Sequence, residues 1–240
     1  MAARLDLNAD VGEGFPHDAA LMAVVTQANV ACGFHAGDAA SMTAVCRRAK
    51  EHQVSVGAQV SYRDRAGFGR RDVEVDHRTL VSDLAEQVET LRDVAAAVGA
   101  SVDYLKPHGA LYNRVGWDVE QAAAVVEVCL EHRLPLMCLP GSVALESMTS
   151  AGGATMREFF ADRAYDARGR LVPRGQAGAV ITAASVVAAR VDQLVASGTV
   201  ATIDGALLEV DVDTVCLHGD TPDALRLARA VRNAIGPVLR

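Results

Sequence analysis

Short apolar runs alternate along the chain with segments whose apolar residues recur at helical spacing. Residues 4–8 and 29–34 read as the first two strands, and Met42, Val45 and Ala49 mark a helix over 41–52. Residues 54–59 return to strand, and a long helix over 78–98 is terminated by Gly99. The alternation continues with strand 102–106, helix 119–132, strand 136–139, helix 142–150 and a short strand 157–160. A polar loop over 162–178 leads to a helix over 181–197. Residues 214–217 form the last strand, and Thr221-Pro222 opens the final helix with a cap residue followed by proline. Segment 199–211 fits either a hairpin or an extra strand.

Strands that alternate with helices imply a parallel sheet covered by helices. About seven such units fit a closed or nearly closed (β/α) barrel better than an open doubly wound sheet. Gly12-Glu13-Gly14 lacks a third glycine at dinucleotide spacing, which further weakens the open-sheet reading. No linker or composition shift divides residues 1–240, so a single domain is expected.

Composition sharpens this picture. Half of the 240 residues are hydrophobic but only 4% are aromatic, so the core is aliphatic. No run of about eighteen apolar residues occurs, and the start of the chain lacks a signal-peptide pattern, so a cytoplasmic, non-membrane protein is expected. A net charge of −7 argues against nucleic-acid binding. Cys32, Cys46, Cys129, Cys138 and Cys216 form no CxxC pair and read as small buried hydrophobes in a reducing compartment. The chain has only two lysines, Lys50 and Lys106, against 21 arginines. Lys106 closes an apolar run, where a compact ammonium is specifically called for.

The candidate chemistry is positional. Asn8 and Asp10, His35, Gln59, Lys106 and His108, Glu158 and Asp162, and His218 each follow or end a strand. In a barrel those ends converge on one mouth, where active sites are built. Asp10, Glu13, His35, Lys106, His108 and His218 are the catalytic candidates, with a carboxylate or histidine activating water and Lys106 stabilising negative charge. Asn8, Gln59, Arg70, Asp162 and Arg163 are the substrate-binding candidates. Arg70, and Arg163 with Arg174, could clamp a carboxylate or phosphate. Asp10 with His35 could hold a divalent metal, although no third ligand is evident. Gly67-Phe68-Gly69-Arg70 has the glycines of a lid. Asp38 and Asp220, each a few residues past a strand-end histidine, read first as helix caps. No P-loop and no Gly-x-Ser-x-Gly elbow is present.

Several stretches resemble the LamB/YcsF family of 5-oxoprolinase A subunits. They are Asp6-Leu-Asn-Ala-Asp10-Val-Gly-Glu13-Gly-Phe, Asn29-Val-Ala-Cys-Gly-Phe-His35-Ala-Gly-Asp38 and Gly67-Phe-Gly-Arg-Arg. Lys106-Pro-His108-Gly-Ala-Leu-Tyr-Asn113, Glu158-Phe-Phe-Ala-Asp162-Arg163-Ala-Tyr165 and Val215-Cys-Leu-His218-Gly-Asp220 follow in order. The resemblance implies a barrel related to polysaccharide-deacetylase and glycosidase barrels. It also implies cleavage of 5-oxo-L-proline to L-glutamate, with ATP consumed by a complex that includes B and C subunits. One departure stands out: where the family usually has Gly-Ala-His-Pro, this chain reads Gly57-Ala58-Gln59-Val60.

Three other readings compete. One is a metal-dependent deacetylase or amidohydrolase acting on a sugar or small amide. Another is a Schiff-base lyase through Lys106. The third is a non-catalytic binding subunit, with Gln59 as the mark of lost chemistry. A homo-oligomer is compatible with the sequence, which does not fix the oligomeric state.

Overall fold

The computed structural model describes residues 5–220, 223–236 and 239. Its elements in order are β1 (Asp6–Val11), α1 (Asp18–Leu21), β2 (Gln27–Ala31), α2 (Ala39–His52), β3 (Ser55–Val60) and α3 (His77–Ala97). Then come β4 (Tyr104–Pro107), α4 (Gly109–Arg114), α5 (Val119–Glu131), β5 (Leu136–Cys138), α6 (Val143–Ser150) and β6 (Thr155–Phe160). The chain ends with α7 (Ala184–Ser197), β7 (Thr199–Ala201), β8 (Leu207–Glu209), β9 (Thr214–Leu217) and α8 (Ala224–Ile235). Strands β1 to β6 close a barrel through β9, every neighbouring pair being parallel. The expected barrel of about seven strands is therefore the one formed.

The helices follow from the pattern that predicted them. In α3, Leu80, Leu84, Val88, Leu91 and Ala95 are buried, one stripe at helical spacing that packs on the barrel. The Asp76 side chain caps its start by accepting from Thr79 N at 3.0 Å. Segment 199–211 is the antiparallel hairpin β7–β8, which stands outside the barrel. Strand β1 extends to Val11, beyond its expected end, whereas β2 stops at Ala31. Gly33 takes a φ of 96° there and its N–H turns back to Ala36 O, so Cys32 to Phe34 leave the sheet. The short helices α1 and α4 were not expected, because one or two turns carry no periodicity. Asp38 caps α2 through a 2.8 Å bond from Ser41 N. Asp220 instead pairs with Arg70, and the N-cap position of α8 is Asp223, which corrects the reading of Asp220 as a cap. Arg4, Thr221 and Pro222, expected at element starts, lie outside the described residues.

The barrel interior is polar rather than aliphatic. Tyr104 Oη donates to Asn29 Oδ1 at 2.7 Å, and Asn29 Nδ2 donates to Asn8 Oδ1 at 2.7 Å and Asp10 Oδ1 at 2.8 Å. Asn8 Nδ2 donates to Thr214 Oγ1 at 2.9 Å, and that hydroxyl donates to Gln27 Oε1 at 2.8 Å. A chain of satisfied bonds ties β1, β2, β4 and β9 together beneath the mouth, and satisfaction is what makes such burial tolerable. Gly57 makes room for it, since a Cβ there would lie 2.0 Å from the Tyr104 ring. Gly57→Ala is therefore expected to destabilise the fold by about 1–3 kcal/mol through overpacking. Urea unfolding measures this, and a loss below about 0.5 kcal/mol would show that the interior yields.

Candidate active site

Lys106 is the buried centre of the mouth. Its Nζ lies 2.9 Å from Asp10 Oδ1, 2.8 Å from Glu158 Oε1 and 3.2 Å from Cys216 Sγ. Burial alone would drive the ammonium toward neutrality, but the facing Asp10 and Glu158 carboxylates hold its pKa well above the usual lysine value. Burial likewise pushes the Asp10 carboxyl up. The cationic Lys106, which also hydrogen-bonds it, outweighs that push and holds Asp10 well below the usual carboxylate range. Glu158 is fixed from its other oxygen by Tyr112 Oη at 2.8 Å. Lys106 thus presents a permanent positive charge at the cavity floor.

His218 stands across the floor. Its Nδ1 lies 2.9 Å from both oxygens of Asp162, and its backbone N–H donates to Asp162 Oδ2 at 3.0 Å. Asp162 is buried, which raises its pKa, yet His218 and these hydrogen bonds bring it below the usual range. The carboxylate assigns the proton of His218 to Nδ1 and leaves Nε2 as an acceptor. Among the described residues Nε2 has no protein hydrogen bond, and His218 lines the cavity. This is the arrangement of a general base with its orienting carboxylate.

A second cluster lies behind His108. Gln59 Nε2 donates to Glu13 Oε1 at 3.0 Å and to His108 Nδ1 at 2.9 Å, and Gln59 Oε1 is 3.3 Å from His35 Nε2. The His35 and His108 rings stack at 4.0 Å. His108 Nε2 donates to Phe68 O at 3.1 Å. Burial first, and then His35, push the His108 pKa well below the usual imidazole range, so the ring is neutral. Phe68 meets both rings edge-on, and Gly69 O accepts from Ala110 N at 2.8 Å. The glycine-flanked loop is therefore latched over the two histidines.

Donor atoms of Glu13, His35 and His108 all lie within 4.8 Å of one another, close enough to share one ion. The Glu13 oxygen lies 3.8 Å from His35 Nε2 and 3.6 Å from His108 Nδ1. Donors around a tetrahedral zinc at ~2.1 Å are about 3.4 Å apart, so the spacing fits an ion. The set differs from the expected pair: Glu13 and His108 join His35, while Asp10 is held by Lys106. Gln59 occupies the middle and bridges these groups through its amide. Gln59→His is expected to tighten zinc binding by about tenfold or more, because an imidazole ligates where an amide N–H cannot. A chelator-competition titration tests this, and equal affinities would show that Gln59 does not limit the site.

The cavity above this floor is about 760 Å³ and is lined by Asp10, Arg70, Lys106, His108, Arg163 and His218 among others. Three of the substrate-binding candidates do not line this cavity. Asn8 lies a layer deeper, bonded to Thr214 and Asn29. Gln59 is occupied by Glu13 and His108, and Asp162 stands behind His218. Sequence reasoning missed Asn29, Tyr104, Tyr112 and Trp117. Asn29 places an amide in the middle of the buried strand β2, a signal that was available. Tyr112 and Trp117 sit on or just past the unforeseen α4.

Residues 5–237 match the LamB/YcsF family. A Streptomyces griseus protein named as the A subunit of 5-oxoprolinase is 51% identical over 238 residues, spanning 96% of this chain and 95% of its own. The crystal structure of a lactam utilization protein from Thermus thermophilus has a TM-score of 0.91 at 37% identity, covering 98% of this chain and 96% of that one. A family 4 carbohydrate esterase from Streptomyces lividans, at 10% identity and a TM-score of 0.53, covers 98% of this chain and 88% of its own and shares the fold alone. With matches of this extent, the chain belongs to the LamB/YcsF family.

Proposed function

We propose that this chain is the A subunit of a 5-oxoprolinase, opening 5-oxo-L-proline to L-glutamate in a cytoplasmic complex with B and C subunits that consumes ATP. The observation that carries the reading is the meeting of Lys106 and the His218–Asp162 pair on one cavity floor. It is supported by 51% identity to a protein of that name. Five buried free cysteines fit a reducing compartment. Among the described residues no helix is long and apolar enough to cross a membrane.

An unstrained lactam is a poor electrophile, and this sequence has no P-loop. The partners therefore transfer the γ-phosphoryl group of ATP to the lactam oxygen, releasing ADP. His218 Nε2 takes a proton from water as its oxygen bonds to C5, and Lys106 stabilises the charge gathering on the oxygens. The imidazolium then returns the proton to the ring nitrogen. The C5–N bond breaks as the new hydroxyl's proton passes to the departing amine, leaving an acyl phosphate, which a second water converts to glutamate and inorganic phosphate. Asp10 is a poor base here because Lys106 holds it ionised and paired. Lys106, protonated between two carboxylates, lacks the lone pair a Schiff base needs.

A metal-dependent amidohydrolase is the second reading, favoured by the Glu13, His35 and His108 donors. A bound ion there would supply a Lewis acid beside the neutral His108. Reconstitution with B and C subunits separates the readings from each other and from a purely binding role. The first predicts glutamate formation that requires ATP, all three subunits and an intact Lys106. Turnover by this chain alone without ATP, abolished by EDTA, would favour the second.

A further inference from the structure

The cavity is larger than the lactam needs. A ligand of about nine non-hydrogen atoms falls well short of the drug-sized molecules held by pockets of ~300–1,000 Å³, and this cavity measures about 760 Å³. Its outer wall is basic, with Arg70, Arg163 and Arg174 facing the same space as Lys106 and His218.

Arg163 is 6% exposed. Its Nη2 donates to Val172 O at 2.6 Å and its Nε to Ala179 O at 3.3 Å, and among the described residues it makes no ion pair. Burial first, and the neighbouring Arg174 next, push its pKa down to about 10, so the guanidinium groups feel one another. Arg70 Nη2 donates to Asp220 Oδ2 at 2.5 Å, and Arg174 Nη1 lies 3.9 Å from the same oxygen. One carboxylate oxygen thus already sits between two guanidinium groups beside a third, buried one. Asp162 is committed to His218. Two guanidinium groups share the Asp220 carboxylate and the third bonds only to carbonyls, so N–H donors from three arginines converge where an anion's oxygens could take them. A buried cation whose hydrogen bonds go only to carbonyls gains from an anionic partner, and guanidinium forks suit phosphoryl oxygens.

We propose that Arg70, Arg163 and Arg174 form a phosphoryl-binding subsite, so that this chain receives its lactam already O-phosphorylated and holds the phosphoryl group while C5 faces Lys106 and His218. The lactam half of this assignment rests on the 5-oxoprolinase reading, whereas the phosphoryl subsite does not.

Calorimetric titration of the full chain with inorganic phosphate, ADP and 5-oxoproline in turn tests it. Inorganic phosphate is expected to bind, with affinity falling at least tenfold in Arg163→Met and in Arg174→Gln. The second variant guards against misfolding, since Arg174 is partly exposed at the rim. 5-Oxoproline binding should change less than threefold in both. Phosphate affinity unchanged in Arg174→Gln and in folded Arg163→Met overturns the subsite. Loss of 5-oxoproline rather than phosphate binding also overturns it, because the arginines would then clamp the carboxylate. ADP binding at least tenfold tighter than phosphate, through the same arginines, would overturn the lactam as the carrier and assign the phosphoryl group to a nucleotide. Arginine-dependent phosphate binding in a chain whose complex makes no glutamate would sustain the subsite and overturn only the function built around it.

Discussion

Lys106→Met is expected to lower glutamate formation by the reconstituted complex by more than 100-fold. The ammonium on the cavity floor is placed to stabilise charge developing at C5, and loss of one such preorganised donor costs about 10²–10³ in rate. The same change leaves Asp10 and Glu158 facing each other, buried without their shared counter-ion. Breaking a buried pair from one side costs about 3–5 kcal/mol, so a fall in unfolding free energy should accompany the lost turnover. Stability and catalysis separate in the double variant Lys106→Met with Glu158→Gln. Removing one orphaned carboxylate should recover part of the stability and none of the rate. Turnover of the single variant within threefold of the parent would mean that Lys106 is a structural cation only.

Asp162→Asn should lower kcat by about 10³-fold while leaving KM within a few-fold. Asp162 stands behind the cavity wall and acts through His218, whose Nδ1 it holds with both oxygens. An amide in that place can donate to Nδ1 and so draws the ring proton onto Nε2, the atom that must accept from water. The resulting tautomer is wrong even though the packing is kept. A merely structural role would lower kcat and the unfolding free energy together, whereas the wrong tautomer lowers kcat alone. An unaltered kcat would remove His218 from the role of base.

How far this site can be read from sequence depends on what each residue's partner is. The strand ends carrying Asp10, Lys106, His108 and His218 were legible because a parallel barrel brings all its carboxyl ends together, whatever the loops between them do. Glu13 and His35 were legible as polar residues at the mouth, but not as part of a triad with His108. Their meeting depends on Gly33 turning the chain off β2 and on Phe68 closing over both rings. Asn8 and Asp162 read as substrate contacts because a place on a strand or at its exit gives a side but not a depth. Asn8 lies a layer below the cavity, and Asp162 has His218 in front of it. Gln59 illustrates the same limit, since only coordinates reveal that its amide bridges Glu13 and His108. Tyr112 escaped notice because its helix is too short for its period to be visible.

The central claim is that water reaches C5 in this barrel, driven by His218, after ATP has been spent elsewhere in the complex. It is tested most directly by counting products from a complex carrying His218→Gln. Quenched-flow sampling would record ADP and glutamate together. The account predicts ADP at about one equivalent per complex in the first turnover, with glutamate at least 100-fold slower than in the parent. Glutamate appearing in step with ADP, at the parental rate, would contradict it.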